Sequence, residues 1–247
     1  MTTPDLFGDL DPGRRTRLGP DAWVLRGFAL PRMDALLPAL AGIEAASPFR
    51  HMKTPGGYTM SAALSSCGKL GWTSDPRGYR YSPTDPETGL AWPPMPEVFS
   101  RLAREAAAAA GFEGFEPDAC LINRYLPGAR MSLHQDRNER DFDAPIVSVS
   151  LGMSAIFLFG GLTRSGRAAR VPLHHGDVAV WGGADRLRYH GIMPLDGQPH
   201  PLLGARRINL TFRKAGCRRW MGRLRTQAAR RRPHCSKKRS VGGRHPL

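Results

Sequence analysis

RRINLTFR, residues 206–213, alternates polar and apolar side chains. Successive side chains of an extended strand point to opposite faces. Arg207, Asn209, Thr211 and Arg213 therefore share one face, and Ile208, Leu210 and Phe212 the other. The apolar face belongs to a core. The polar face has two readings: a solvated surface, or an inner wall where two guanidiniums meet anions, since a buried charge needs a partner. Four runs upstream share the β-rich character: ACLINRY (119–125), PIVSVSLG (145–152), AIFLFGG (155–161) and RVPLHHGDVAVWGG (170–183), parted by Gly, Pro and Asp. Within the last of these, HHGD reads as a tight turn. Short strands with regular turns predict a sandwich or jelly roll, with its core over about 118–215.

The N-terminal half reads differently. PRMDALLPALAGIEAA (31–46) spaces Met33, Leu36, Leu37 and Leu40 along one helix face, and Pro38 is expected to kink or shorten that helix. PEVFSRLAREAAAAAGF (96–112) is the stronger helix: Pro96 suits a first turn, alanines fill the body and Gly111 can end it. The fold class is α+β, mainly β. Residues 54–96 are rich in Gly, Pro and aromatics, among them Tyr58, Trp72, Tyr79, Tyr81 and Trp92. The stretch is too long for a plain connector and is expected to form hairpins or a lid within about 50–95. A small hydrophobic cluster is the plain alternative, because aromatics mostly pack.

The 247 residues fit one large domain or two small ones, and the 41% hydrophobic fraction can fill a core. Cys67, Cys120, Cys217 and Cys235 are scattered without C-x-x-C spacing. That argues against a zinc knuckle or a disulfide framework, and a reducing cytoplasm is the expected location. MTTPDLFGDLDPG, at the start, has no basic region followed by an apolar run, so no signal peptide is read. No apolar stretch approaches the roughly 18–20 residues of a membrane span. Net charge is +15, but residues 217–247 hold eleven Arg and Lys and no acid, which leaves +4 for residues 1–216. This basic tail lacks apolar periodicity and reads as mostly disordered, with a helical reading over 218–231. Such blocks are often arms for nucleic acid, and a solubilising extension has the same composition.

His134 and Asp136, in MSLHQD, fall on one side of an extended segment, together with Ser132. His190 follows Asp136 by 54 residues, far enough to return on another strand. Two imidazoles and a carboxylate on one face of a metal leave three positions open, the arrangement of non-haem Fe(II) oxygenases. An isolated H-x-D is common by chance and can be satisfied on a loop. The arginine-bearing strand shortly after His190 adds weight, because two arginines can hold a dicarboxylate, each bidentately.

In PFRHMKTPGGYTMS, CGKLGWTSDPRGYRYSP, PDACLINRYLPGARMSLHQD, APIVSVSLG, FGGL, HGDVAVWGG, YHGI and RINLTFR the chain resembles the bacterial AlkB dealkylases, from about residue 5 to residue 216. The resemblance implies a double-stranded β-helix (jelly roll) with N-terminal helices and a nucleotide-recognition lid in residues 1–216. It implies Fe(II) held by His134, Asp136 and His190, with 2-oxoglutarate and O2 as cosubstrates. Arg207 matches the family's arginine for the distal carboxylate. Arg213 matches the one near the metal, which also steadies the ligand Asp. Asn123 and Tyr125 match residues that hydrogen-bond 2-oxoglutarate, and Asn209 would line the same pocket. Trp72 matches the aromatic that stacks on the damaged base, with His134 on the other side. Tyr79, Arg80 and Tyr81 match the lid segment that meets the nucleotide and its phosphates, and Arg164 matches a polar contact to the substrate. A base must leave its stack to be reached, and interleaved aromatic and basic residues suit single-stranded nucleic acid.

The reaction so implied oxidises 2-oxoglutarate to succinate and CO2 and hydroxylates the N-methyl carbon of a base of the 1-methyladenine or 3-methylcytosine type. The hemiaminal then releases formaldehyde and the intact base. No general acid or base is assigned. The expected partner is alkylated DNA, single-stranded preferred, with RNA as a second candidate; the protein is expected to be a monomer and to bind no membrane. One position departs from the pattern. The family commonly has an acidic residue two places after the ligand Asp, where this chain has Asn138, followed by Glu139. Asn keeps an acceptor oxygen but lacks the charge, so a flatter preference between cationic and neutral lesions is expected. Two other readings remain: the same oxygenase chemistry on a protein side chain or small molecule, and a non-catalytic nucleic-acid binder driven by the tail. The complete triad and both arginines argue against the second of these.

Overall fold

A computed structural model describes residues 11–216. The basic tail, with its predicted helix and with Cys217 and Cys235, lies outside the described residues. In chain order the strands are β1 (Arg15–Gly19), β2 (Ala22–Leu25), β3 (Ala63–Gly68), β4 (Gly71–Asp75), β5 (Gly78–Ser82), β6 (Ala119–Tyr125), β7 (Met131–His134), β8 (Ile146–Gly152), β9 (Ala155–Phe159), β10 (Ala169–Leu173), β11 (Val178–Trp181), β12 (His190–Ile192) and β13 (Arg207–Arg213). Helices α1 (Met33–Ala46) and α2 (Glu97–Ala109) complete the regular elements with short 3-10 turns. No helix among the described residues is long and apolar enough to cross a membrane.

All seven residues of β13 are buried, so its polar face is an inner wall and not a solvated surface. The reason is its place in a seven-stranded antiparallel sheet of order β1-β2-β11-β8-β13-β6-β3. On the outer side, Ile208, Leu210 and Phe212 join Val147, Val149 and Leu151 of β8 and Cys120 and Ile122 of β6 beneath both helices. Phe99 of α2 meets Phe212 edge to face at 6.1 Å. The inner side faces a second sheet, β10-β9-β12-β7. A second apolar cluster, including Phe157, Phe159 and Trp181, fills part of the space between. These two opposed antiparallel sheets form the expected jelly roll. The HHGD turn carries the chain across the layers, from β10 in one sheet to β11 in the other. Asp177 pins it by accepting from His174 N at 2.9 Å and Arg26 Nη1 at 2.8 Å.

Three expectations are corrected. Pro38 does not shorten α1, which runs through it to Ala46. Pro38 is exposed, so water can satisfy the carbonyl that loses its partner one turn earlier. Pro96 caps α2 from outside, with extended ψ of 144°, while Gly111 at φ 93° closes the helix as expected. The stretch read as hairpins or lid contains β3, which belongs to the large sheet and pairs with β6 from Ala63↔Arg124 to Gly68↔Ala119. The rest of the stretch does hold a hairpin, the β4–β5 ribbon, a separate two-stranded unit, and a turn at residues 54–59.

Candidate metal and cosubstrate site

β12 pairs with β7 so that His190 lies opposite His134. Gly191 permits this approach: a Cβ there would stand 2.6 Å from Met131 O. The two imidazoles sit 4.4 Å apart. His134 Nδ1 lies 2.9 Å from Ser132 O, and His190 Nδ1 3.0 Å from Arg188 O. A carbonyl only accepts, so each Nδ1 carries the proton, and the lone pair of a neutral ring is then on Nε2. Each Nε2 is 3.7 Å from an oxygen of Asp136. The three ligand atoms lie within 4.8 Å of one another, the one such group found among the described residues. Burial, then the neighbouring His134, lowers the pKa of His190 to about 4. Burial opposes ionisation of Asp136, but the Arg213 guanidinium foremost holds its carboxyl well below the usual range. Neutral imidazoles and an ionised carboxylate are the donor set a divalent iron needs.

A cavity of about 600 Å³ opens from these ligands between the sheets. Asn123, Tyr125, Arg207, Asn209 and Arg213 all line it, brought together because β6 and β13 pair in register, Asn123 against Asn209 and Tyr125 against Arg207. Arg207 is 1% exposed. Its Nη2 donates to Ser150 Oγ at 3.0 Å, its guanidinium lies over the Tyr125 ring at 5.3 Å, and its Nε and Nη1 have no partner. Burial lowers its pKa. Arg213 donates through Nε and Nη2 to Asp136 Oδ2 at 2.9 and 2.7 Å, leaving Nη1 unpaired. Orphaned buried guanidinium donors on one wall, with metal ligands at its end, fit an anion carrying two carboxylates. Burial pushes the Tyr125 phenol up to about 12, so it remains a donor. Asn209 behaves differently from its neighbours: its amide is occupied by Ser148 Oγ, Val149 O and Thr211 Oγ1, so it braces the wall it lines.

The ribbon closes the other side. Trp72 and Tyr79 stack at 5.5 Å with 18° between planes, and both line the cavity. Asn138 also lines it and donates to Tyr79 O at 3.4 Å. The remaining matched residues lie outside the lining. Arg80 points to the far face of the ribbon, gripped by Asp75 at 2.8 and 2.7 Å. Tyr81 turns inward and donates to Glu139 Oε1 at 2.7 Å. Arg164 sits in the exposed turn between β9 and β10. Sequence reasoning gave no role to Glu139, Arg186, Ser148 and Ser150, or to Arg130 at the cavity mouth. The serines had a signal: in PIVSVSLG they alternate with the same period as the polar face of β13.

A family model described as the 2OG-Fe(II) oxygenase superfamily matches residues 22–213. The alpha-ketoglutarate-dependent dioxygenase AlkB of Escherichia coli (strain K12) is 55% identical over 212 residues, 86% of this chain and 98% of that protein. The nucleic acid dioxygenase ALKBH1 of Homo sapiens is 34% identical over 141 residues, 54% of this chain and 36% of that protein. The solved structure of OsALKBH1 superposes with a TM-score of 0.70 at 29% identity, covering 81% of this chain and 100% of that one. Fold and site thus define an oxygenase that uses Fe(II), 2-oxoglutarate and O2. Within that class, the chain belongs to the AlkB family.

Proposed function

We propose that this protein reverses alkylation damage by oxidative demethylation of bases of the 1-methyladenine and 3-methylcytosine type in DNA, with RNA as a second substrate. The observation that carries the reading is one cavity bounded at one side by His134, Asp136 and His190 and at the other by the stacked Trp72 and Tyr79. The names of its relatives, a dioxygenase AlkB and a nucleic acid dioxygenase, support the same substrate class.

When bound, Fe(II) with 2-oxoglutarate and O2 supplies the oxidising equivalent that hydroxylates the N-methyl carbon. The chain's part is placement. Arg207 and Arg213 hold the two ends of the cosubstrate, with Asn123 and Tyr125 beside it. Trp72 and His134 take the extruded base between them; methylated adenine and cytosine of this type are cations, which an aromatic face attracts. The His190 and Asp136 side chains, 7% and 10% exposed, would keep much of the water from that side of the metal. Single-stranded substrate is favoured on two grounds. A base out of its stack costs less to capture. The mouth also carries Tyr58, 78% exposed, and the exposed Arg130, a pairing that suits a single strand. We read residues 1–216 as the oxygenase domain of a cytoplasmic monomer; Cys67 and Cys120, both free thiols, suit a reducing compartment.

The test is formaldehyde release from methylated oligonucleotides, run on single-stranded DNA, duplex DNA and RNA. Release should require Fe(II) and 2-oxoglutarate and vanish in Asp136→Ala. Consumption of 2-oxoglutarate with no formaldehyde from any methylated oligonucleotide would point to a protein or small-molecule substrate instead.

A further inference from the structure

We infer that Tyr81 and Glu139 form a positioning relay that transmits the seating of a base on the ribbon to the metal-binding carboxylate of Asp136; the inference rests on the dealkylase reading. Tyr79 and Tyr81 are two residues apart on β5 and share a ribbon face, and Trp72 lies opposite Tyr81 in register. Trp72 and Tyr79 line the cavity, whereas the Tyr81 hydroxyl ends on Glu139 Oε1 at 2.7 Å. Burial raises the pKa of this phenol well above its usual value, so it stays a donor.

Glu139 is a buried carboxylate, its side chain 2% exposed, set between two arginines. Arg186 Nη2 stands 3.3 Å from Oε2, and Arg213 Nε 3.4 Å from Oε1. Both arginines also hold Asp136. Arg186 Nη1 donates to its main-chain oxygen at 3.1 Å, and Arg213 donates twice to Oδ2. Arg213 Nε therefore lies between two carboxylates, 2.9 Å from Asp136 and 3.4 Å from Glu139. The Tyr81 hydroxyl satisfies part of the Glu139 charge and leaves Arg213 closer to Asp136. With Oδ2 so occupied, Asp136 offers a metal its other oxygen alone. Without the phenol, Glu139 competes harder for Arg213 Nε, since a buried charge seeks full compensation. Asp136 Oδ2 is then released, and a carboxylate bound through both oxygens would take one of the positions that the cosubstrates need. A base pressing on Trp72 and Tyr79 moves the strand that carries Tyr81 and so sets this balance.

The test uses the full chain loaded with Co(II) and 2-oxoglutarate, whose visible absorption reports coordination number. A 1-methyladenine oligonucleotide is added, and its binding is followed separately by fluorescence anisotropy. Wild type should bind and change its visible spectrum. Tyr81→Phe should bind and lose that spectral response, and with Fe(II) it should form more succinate per formaldehyde than wild type. Glu139→Gln should lose the response too, and it carries the test if Tyr81→Phe does not fold. A wild-type spectral response in either folded variant overturns the relay, as does wild-type binding with no response. If wild type neither binds methylated oligonucleotide nor releases formaldehyde, the dealkylase reading fails first and the relay falls with it.

Discussion

Arg207 is a buried cation whose donors are only partly used. Two of its buried nitrogens have no acceptor, so the free protein bears an uncompensated charge. Arg207→Met should leave the thermal midpoint of the cosubstrate-free protein unchanged or higher, while weakening 2-oxoglutarate binding by roughly 10- to 100-fold. Unfolding scans and a 2-oxoglutarate titration check both halves, and unchanged affinity would remove Arg207 from the cosubstrate site. His190 predicts a pH dependence. Its pKa falls from 6.5 to about 4 on folding, so the native metal-free protein keeps it neutral while the unfolded chain takes up a proton below 6.5. Stability should therefore fall as pH drops from 6.5 to about 4, by on the order of 3 kcal/mol, and level off below. Urea unfolding across that range should show the slope in wild type and a shallower one in His190→Asn. Asn138, at the cavity wall, predicts a ratio of turnover on 1-methyladenine to 1-methylguanine that rises in Asn138→Asp; an unchanged ratio would sink that idea. The triad was legible because its chemistry is particular, and the arginines because their strand alternates. Glu139 and Arg186 were not, because an ion pair joining residues 47 apart leaves no periodic trace.

At the scale of elements, legibility followed length. ACLINRY and RINLTFR are seven-residue strands whose bounds match the sequence reading, since alternation has room to declare itself. β12 has three residues and β2 four, too few for a period, and β1 and β2 were not foreseen; β11, also four, was read from the apolar run after its turn. β3 hid for another reason: ALSSCG is buried over its first five positions, and its small side chains give no alternation. The β7–β12 pair is nonetheless the element on which the metal site depends. Gly191→Ala should force these strands apart, since its Cβ would meet Met131 O at 2.6 Å. Metal affinity should drop by more than tenfold with most of the fold retained, a rough figure from the losses seen when ligands are mis-set. Calorimetric metal titration alongside circular dichroism checks this.

For the whole molecule, eleven of the basic residues fall in 217–247, outside the described residues. If that segment contacts phosphates, removing it should weaken oligonucleotide binding and flatten its dependence on salt. An identical salt slope with and without residues 217–247 would make the segment irrelevant to binding. The large sheet has two sides with separate tasks. Its outer side, under the helices, is mostly apolar, with Arg124 of β6 paired to Glu44 of α1. Its inner side joins an apolar patch of Ala22, Val24, Ile146, Ala179 and Trp181 to a polar seam of Ser148, Ser150, Asn209 and Arg207, with some of its donors left open. On β13 packing lies on one side and the candidate chemistry on the other, on alternate residues of the same strand. Mutation can therefore change an inner position such as Arg207 with less risk to the fold than the outer positions of β13, which are held by packing. A sheet divided in this way lets a lineage change what it binds without learning to fold again.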